Sequence, residues 1–148
     1  MSCYDCMYIG GPMISYKELL GSHNVAELPI SHQHNLEELL VCVNKFRAEY
    51  GKHMTVTSPY RSMQEHLRIY ANKGITDPAK IPMRSNHLCG NAVDFADPDG
   101  SLYAWAFSNQ DKLEEWGIWC EEGTNIGPVK WLHCQRVPPK SGNRFFKP

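Results

Sequence analysis

The most informative stretch of this 148-residue sequence is Ser85-Asn86-His87-Leu88-Cys89-Gly90-Asn91-Ala92-Val93-Asp94. It places an imidazole and a carboxylate seven residues apart, and the glycine between them allows the chain to turn from a loop into a strand. The apolar and β-branched residues around Asp94 predict a strand over 92–96. The side chains of His87 and Asp94 can then face one point.

A second imidazole lies centrally in another predicted strand, Trp131-Leu132-His133-Cys134-Gln135. Together, His87, Asp94 and His133 would provide the nitrogen, oxygen and nitrogen ligands of an open catalytic zinc site, and its fourth position would be left for water. Spacing alone does not establish such a site, because a single histidine among seven is usually a surface or hydrogen-bonded side chain.

Asp94 stands between two apolar residues, Val93 and Phe95, so the predicted strand brings its carboxylate close to the core. Burial of an unpaired carboxylate is costly, and coordination to a cation removes that cost. An arginine partner for Asp94, either Arg61 or Arg84, is the competing structural explanation.

The wider pattern predicts an α+β domain with a small antiparallel sheet packed with helices. Three helix starts have capping-box spacing, at Ser15/Glu18, Asn35/Glu38 and Ser62/Glu65. We expect helices over 15–21, 35–50, 62–73 and 102–116, and strands over 54–58, 92–96, 117–120 and 131–135. No repeat or linker divides the chain, so residues 1–148 are predicted to form one domain with irregular ends at about 1–13 and 137–148.

The composition argues against several classes of protein. With 15 basic and 16 acidic residues and a formal net charge of -1, the chain lacks the basic footprint of a nucleic-acid binder. No apolar stretch approaches the roughly 18 residues of a membrane span, and residues 1–21 lack the pattern of a secretion signal. We therefore expect a cytoplasmic protein that has neither nucleic acid nor a membrane as its partner.

The cysteines leave alternatives open. Without an export signal, free thiols are the expected state. A mixed Cys/His metal site is possible in principle, but Cys134 is adjacent to His133 on a strand and must point to the opposite face. Cys89 lies in the loop and stays open as a ligand. The Cys3-Tyr4-Asp5-Cys6 motif has no second pair at zinc-finger spacing, so a metal-binding or redox role for it is the remotest alternative.

Two motifs resemble the zinc site of a known family, Ser85-x-His87-x-x-Gly90-x-Ala92-x-Asp94 and Trp131-x-His133. The family comprises the zinc-dependent D-Ala-D-Ala carboxypeptidases and the L-alanyl-D-glutamate endopeptidases of bacteriophage endolysins. Residues 57–62 are similar to its Ser-Gly-Tyr-Arg-Ser segment, and residues 15–20 are similar to the start of its small single-domain members. The resemblance covers residues 14–136 in the same order and implies a hedgehog/DD-peptidase fold.

The resemblance implies a role for each matching residue. His87, Asp94 and His133 hold Zn²⁺, and Arg61 lies beside the metal, where it acts in catalysis by pairing with a carboxylate or carbonyl of the substrate peptide. A guanidinium suits this role because it can donate two parallel hydrogen bonds to a carboxylate. A surface salt bridge, or a pairing with Asp94, is the alternative for Arg61. Substrate contacts are also assigned to Ser85, Trp131 and Gln135.

One position departs from the family's pattern. Many members carry a glutamate base three residues before the last zinc histidine, and here that position is Lys130, which cannot accept a proton while it is charged. Some phage members have an acidic pair at the end of the preceding strand, and Glu121-Glu122 stands in that place. We therefore predict Glu121 as the general base, with Glu122 as its substitute. A solvated acidic loop is the alternative.

The expected function is that of a zinc peptidase that hydrolyses peptide bonds in the stem peptides of bacterial peptidoglycan. The resemblance implies a phage or prophage enzyme, made in the cytoplasm of the infected host, which acts on the wall after release by a holin or from the virion. The alternative, for which Lys130 is the main evidence, is an inactive metal-binding domain with a structural or interaction role.

Overall fold

A computed structural model describes residues 13–148. The helices in this range are α1 (Tyr16–Leu20), α2 (Ile30–Tyr50), α3 (Met63–Asn72), α4 (Ser101–Ser108) and α5 (Gln110–Trp116). The strands are β1 (Val56–Ser58), β2 (Ala92–Ala96), β3 (Trp119–Glu121), β4 (Trp131–Gln135) and β5 (Phe145–Phe146). The predicted α+β class is confirmed. Within 13–148, no helix combines the length and the apolar composition that crossing a membrane requires.

The five strands form one sheet in the order β1-β2-β4-β3-β5, with only the β3–β5 pair parallel. Successive side chains of a strand point to opposite faces of the sheet. On one face, Phe95 of β2 and Leu132 of β4 are fully buried and join a cluster with Leu39 and Phe46 of α2. The other face carries Asp94 and His133, so the helices cover the back of the candidate site.

Helix α2 begins five residues earlier than the sequence predicts. The expected capping box at Asn35 is wrong, because Pro29 precedes the first turn and its carbonyl accepts a hydrogen bond from the backbone N–H of His32 at 3.0 Å. Asn35 lies inside the helix, where its side-chain amide donates to the carbonyl of Cys89 at 2.9 Å. This bond ties the loop that contains His87 to α2.

The predicted helix over 102–116 is two helices. Asn109 interrupts it with φ -127 and ψ 40, and its side-chain amide donates to the carbonyl of Trp105 at 2.7 Å. A side chain that bonds this acceptor competes with the backbone hydrogen bond of a continuous helix. The helix starts predicted at Ser15 and Ser62 are confirmed, since each hydroxyl accepts from the backbone three residues later.

Strand boundaries also differ from the prediction. The first and third strands each begin two residues later than expected, at Val56 and Trp119. The C-terminal end, predicted to be irregular, contains β5, whose residues Phe145 and Phe146 are both buried. A two-residue strand is too short to show a periodic pattern, and it forms because the edge of β3 offers backbone partners.

Candidate metal centre

Two ligands of the candidate site come from neighbouring strands and the third from a loop. Asp94 of β2 and His133 of β4 are directly opposite each other in the sheet, and Asp94 Oδ1 lies 2.8 Å from His133 Nδ1. His87, in the short helical turn Asn86–Leu88, brings Nε2 to 3.4 Å from the same oxygen. One ligand atom from each residue lies within 4.8 Å of the others. The predicted convergence is confirmed, and this group could hold a metal ion.

Glycine allows the loop to bring His87 to the sheet. Gly90 has φ +83, and a Cβ atom there would lie 2.9 Å from both Leu36 Cγ and a backbone carbonyl oxygen of α2. A larger residue would therefore push the loop away from α2. The backbone of His87 is held on both sides, since its carbonyl accepts from the N–H of Arg61 at 3.1 Å and its N–H donates to Ser85 Oγ at 3.4 Å.

Gln135 fixes the orientation of the His133 ring. Its amide nitrogen donates to the carbonyl of Val137 at 2.7 Å, so its oxygen is the atom that faces His133 Nε2 at 2.8 Å. That oxygen can only accept, and Nε2 must therefore carry a proton. Nδ1 is left facing the Asp94 carboxylate at 2.8 Å. A lone pair and a carboxylate cannot stay this close unless a proton or a metal ion lies between them.

The pKa shifts agree with this arrangement. Burial lowers the pKa of His133, but the hydrogen bond and the charge of Asp94 outweigh it and raise the pKa above the ordinary value. Burial raises the pKa of Asp94, but its hydrogen bonds with His133 and His87 hold the pKa well below its usual range. Without metal, Asp94 and His133 thus each favour the charged form of the other, a buried carboxylate and an imidazolium. A metal ion that binds here displaces the imidazolium proton.

Two imidazoles and one carboxylate are a donor set that a zinc ion accepts. Zinc bonds of about 2.0–2.1 Å in a tetrahedral arrangement place neighbouring ligand atoms about 3.3 Å apart. The His87–Asp94 distance of 3.4 Å already matches this spacing. The His133–Asp94 pair, at 2.8 Å, must widen by about half an ångström. Two imidazoles and one carboxylate suit several divalent metals, so the geometry supports a metal ion and leaves its identity to the proposal below.

The three ligands open into a cavity of about 570 Å³, here called the metal cavity. The other residues predicted from the sequence all line it: Arg61, Ser85, Glu121, Trp131 and Gln135. Gln135 lines this cavity with both ends of its amide engaged, so a substrate contact by Gln135 stays a prediction.

Arg61 has no ion-pair partner among residues 13–148, so the alternatives of a salt bridge and of a pairing with Asp94 are not seen. Its guanidinium instead donates to Ser58 Oγ at 3.2 Å and to Nδ1 of His66 at 3.3 Å. His66 Nε2 lies 2.9 Å from the carbonyl of Pro82, which can only accept, so Nδ1 is the free acceptor. Arg61 is thus anchored by neutral groups.

His66 is a site residue that the sequence analysis did not identify. It is fully buried, and burial together with the nearby charge of Arg61 lowers its pKa, although the Pro82 hydrogen bond opposes this shift. The neutral ring is the form that can accept a hydrogen bond from Arg61. The only available signal was a polar residue one turn into α3, which does not distinguish a buried anchor from an exposed side chain.

The structure separates the two candidate bases. Glu121 is half-buried at the end of β3 and lines the metal cavity, whereas Glu122 is exposed and does not. Burial raises the pKa of Glu121; Asp94 adds to this effect and His133 opposes it. Lys130, at the position of the usual family base, does not line the metal cavity and instead lines a neighbouring groove.

The remaining alternatives for the metal ligands find no support within residues 13–148. Cys134 is fully buried on the helix-covered face of the sheet, as strand parity predicts. Cys89 contacts Asn86 and Asn91 through its sulfur and does not belong to the metal-binding group. Arg84 makes no ion pair with Asp94. The motif at residues 3–6 lies outside the described residues.

Comparisons of the chain with protein-family models, with curated proteins and with solved structures find no match. Membership of the peptidase family that the motifs resemble therefore stays a prediction, as does the hedgehog/DD-peptidase type of the fold.

Proposed function

We propose that this protein is a zinc-dependent peptidase that hydrolyses peptide bonds in the stem peptides of bacterial peptidoglycan. The observation that carries the proposal is the convergence of His87, Asp94 and His133 at one point of a cavity. A half-buried acid, Glu121, and an arginine without an ion-pair partner in the described part of the chain, Arg61, line the same cavity. A phage origin, and delivery by a holin or in the virion, belong to the proposal through the motif resemblance alone.

The proposed chemistry divides between the metal and the protein. A bound zinc ion supplies Lewis acidity, which polarises the scissile carbonyl and acidifies a water molecule. Glu121 accepts the proton of the attacking water at a carboxylate oxygen and returns it to the leaving amine. Because burial raises the pKa of Glu121, its carboxyl holds this proton more readily than an exposed glutamate does.

Arg61 is proposed to bind the peptide. Its guanidinium has five N–H donors, and two of its nitrogen atoms are already anchored on Ser58 and His66, so further donors are free for a carboxylate or a carbonyl. Lys73 and Arg84 also line the metal cavity without an ion pair to any residue of 13–148. With Arg61, these side chains line the cavity together with the carboxylates of Asp94 and Glu121. The three cations offer partners to an acidic peptide, and stem peptides carry free carboxylates.

The proposal is tested by incubating purified peptidoglycan with the zinc-loaded protein and identifying the released fragments by mass spectrometry. New amino termini locate the bond that is cut. If the protein binds zinc and releases no fragment, it is the inactive metal-binding module instead.

The base is tested by comparing Glu121→Gln with the matched control Glu122→Gln. We expect Glu121→Gln to lower kcat/KM by about 10²- to 10⁴-fold while zinc binding is retained, because only the proton acceptor is lost. Glu122→Gln should stay close to wild type. The reverse result would identify Glu122 as the base. If neither substitution lowers kcat/KM, neither glutamate is the base.

A further inference from the structure

An apolar groove adjoins the metal cavity. It has a volume of about 440 Å³, and its walls include Ala96, Pro98, Pro128, Val129 and Lys130. We call it the Lys130 groove. The proposed function assigns it no role.

The groove and the metal cavity share two residues. Asp94 and Trp131 line both, so the metal-binding group stands where the two spaces meet. For a peptide whose reacting carbonyl lies at this group and whose one side extends toward Arg61, the groove is the adjoining space for its other side. The groove is therefore placed to hold the second half of a substrate.

Lys130 provides this groove with a positive charge that no carboxylate of residues 13–148 pairs. Its carbonyl accepts a hydrogen bond from the backbone N–H of Asp97 at 3.1 Å, which holds the residue at the start of β4. Its side chain is partly buried, and it makes no ion pair with any residue of 13–148. Among residues 13–148, the carboxylate that lines the groove is that of Asp94, which is already engaged by His133 and His87.

The walls on the two sides of the metal-binding group therefore differ in polarity and in the number of cations. The Arg61 side has polar and apolar walls and includes several cations as well as Glu121, whereas the Lys130 side is mostly apolar, with one cation among the described residues that line it. A lone ammonium beside an apolar wall suits a substrate segment with a small apolar group followed by a carboxylate, since such a segment buries its apolar part and pairs its charge.

We propose that Arg61 and the Lys130 groove bind the two halves of the peptide on opposite sides of the scissile bond. Lys130 determines specificity by pairing with a carboxylate in the half that lies in the groove. This inference rests on the proposed peptidase function. It gives the lysine at the usual position of the family base a role in substrate selection.

The test uses synthetic stem peptides in which each carboxylate in turn is converted to a carboxamide. Zinc-loaded wild type, Lys130→Met and the control Lys45→Met are compared by kcat/KM; Lys45 is exposed on α2 and lines neither space. For one carboxylate, amidation should lower kcat/KM of wild type and of Lys45→Met by about tenfold and that of Lys130→Met by less than about twofold. Amidation of a carboxylate bound by Arg61 should affect all three proteins equally.

The same measurements separate the possible failures. If wild type hydrolyses the peptides and every amidation has equal effects on wild type and Lys130→Met, Lys130 does not select a carboxylate and the inference is overturned. If wild type hydrolyses none of the peptides, the proposed function itself fails, and the inference fails with it. Equal activity of wild type and Lys130→Met on the critical amidated peptide shows that the variant is folded and catalytically intact.

Discussion

The two faces of the β2–β4 strand pair have opposite physical roles, although their residues alternate along the same strands. On the helix-covered face, Phe95 lies opposite Leu132, and burial of both side chains stabilises the fold. On the other face, Asp94 lies opposite His133, and burial of these groups is unfavourable unless a proton or a metal ion joins them. A change on the first face should therefore affect folding, and a change on the second should affect metal binding and chemistry.

The largest effect is expected from Asp94→Asn, which keeps the shape of the side chain and removes its charge. Loss of a charged ligand should weaken zinc binding and lower peptide hydrolysis by at least about 10³-fold. Zinc content, hydrolysis rate and the far-UV circular dichroism spectrum measure the three consequences. An unchanged zinc content would show that Asp94 is not a metal ligand. Loss of the folded spectrum would show that this face, too, is required for folding.

The next effect is expected on the opposite face, from Phe95→Ala. Phe95 is fully buried, so its truncation should lower the free energy of unfolding by about 3–5 kcal/mol through lost burial and a cavity. Urea denaturation measures this change. The exposed Val41→Ala, on α2, is the matched control and should stay within about 0.5 kcal/mol of wild type. A small effect of Phe95→Ala would mean that this face contributes little to stability.

The third prediction concerns Gln135 and tests whether it orients the His133 ring through a hydrogen bond or acts only through packing. Gln135→Leu removes the acceptor for His133 Nε2–H and should weaken zinc binding by about 10- to 100-fold. Gln135→Glu retains an oxygen acceptor and should remain closer to wild type. Competition with a chromophoric zinc chelator measures both affinities. Equal losses in the two variants would indicate that Gln135 acts only through packing.

The smallest effect is expected in the pH dependence of the metal-free protein. Since the folded-state pKa of His133 is raised, its stabilising contribution is present below its ordinary pKa of 6.5 and is lost as the pH rises through the raised value. Since the pKa of Asp94 is lowered, its contribution is present above its ordinary 3.8 and is lost as the pH falls through the lowered value.

Thermal unfolding at a series of pH values tests this pair of signs. As the pH rises from the ordinary histidine pKa of 6.5 through the raised value, the Tm of the metal-free protein should fall. Zinc-loaded protein should not show this decline, because the metal has replaced the proton. The variant Phe95→Ala should show the same pH trend from a lower starting Tm. A metal-free Tm that rises over this range would contradict the raised pKa of His133.

The sequence predictions succeeded where the signal is local and failed where a neighbouring element decides the outcome. The strands predicted at 92–96 and 131–135 are correct. Their apolar and β-branched residues indicate a strand, and turn residues mark where it ends. The helix start at Asn35 was wrong because its capping pattern occurs inside a longer helix whose first turns are polar. The break at Asn109 and the strand at Phe145–Phe146 each depend on one hydrogen-bonding opportunity that no periodicity records.

The sequence by itself determined which side chains share a face. Strand parity places Asp94 with the core residues Val93 and Phe95 behind it, and it turns Cys134 away from His133, because side-chain direction alternates with every residue.

Only the tertiary structure decided how these side chains are held. It brings His66 under Arg61, aligns Gln135 behind His133, and places Glu121 rather than Glu122 in the metal cavity. Arg61 and His66, like His133 and Gln135, are close in the chain, but their roles depend on distances to partners farther away. The carbonyl of Pro82 engages Nε2 of His66, and Asp94 of the neighbouring strand faces Nδ1 of His133. Local periodicity carries no information about such distances, because they are set by the packing of β4, α3 and the loops around them.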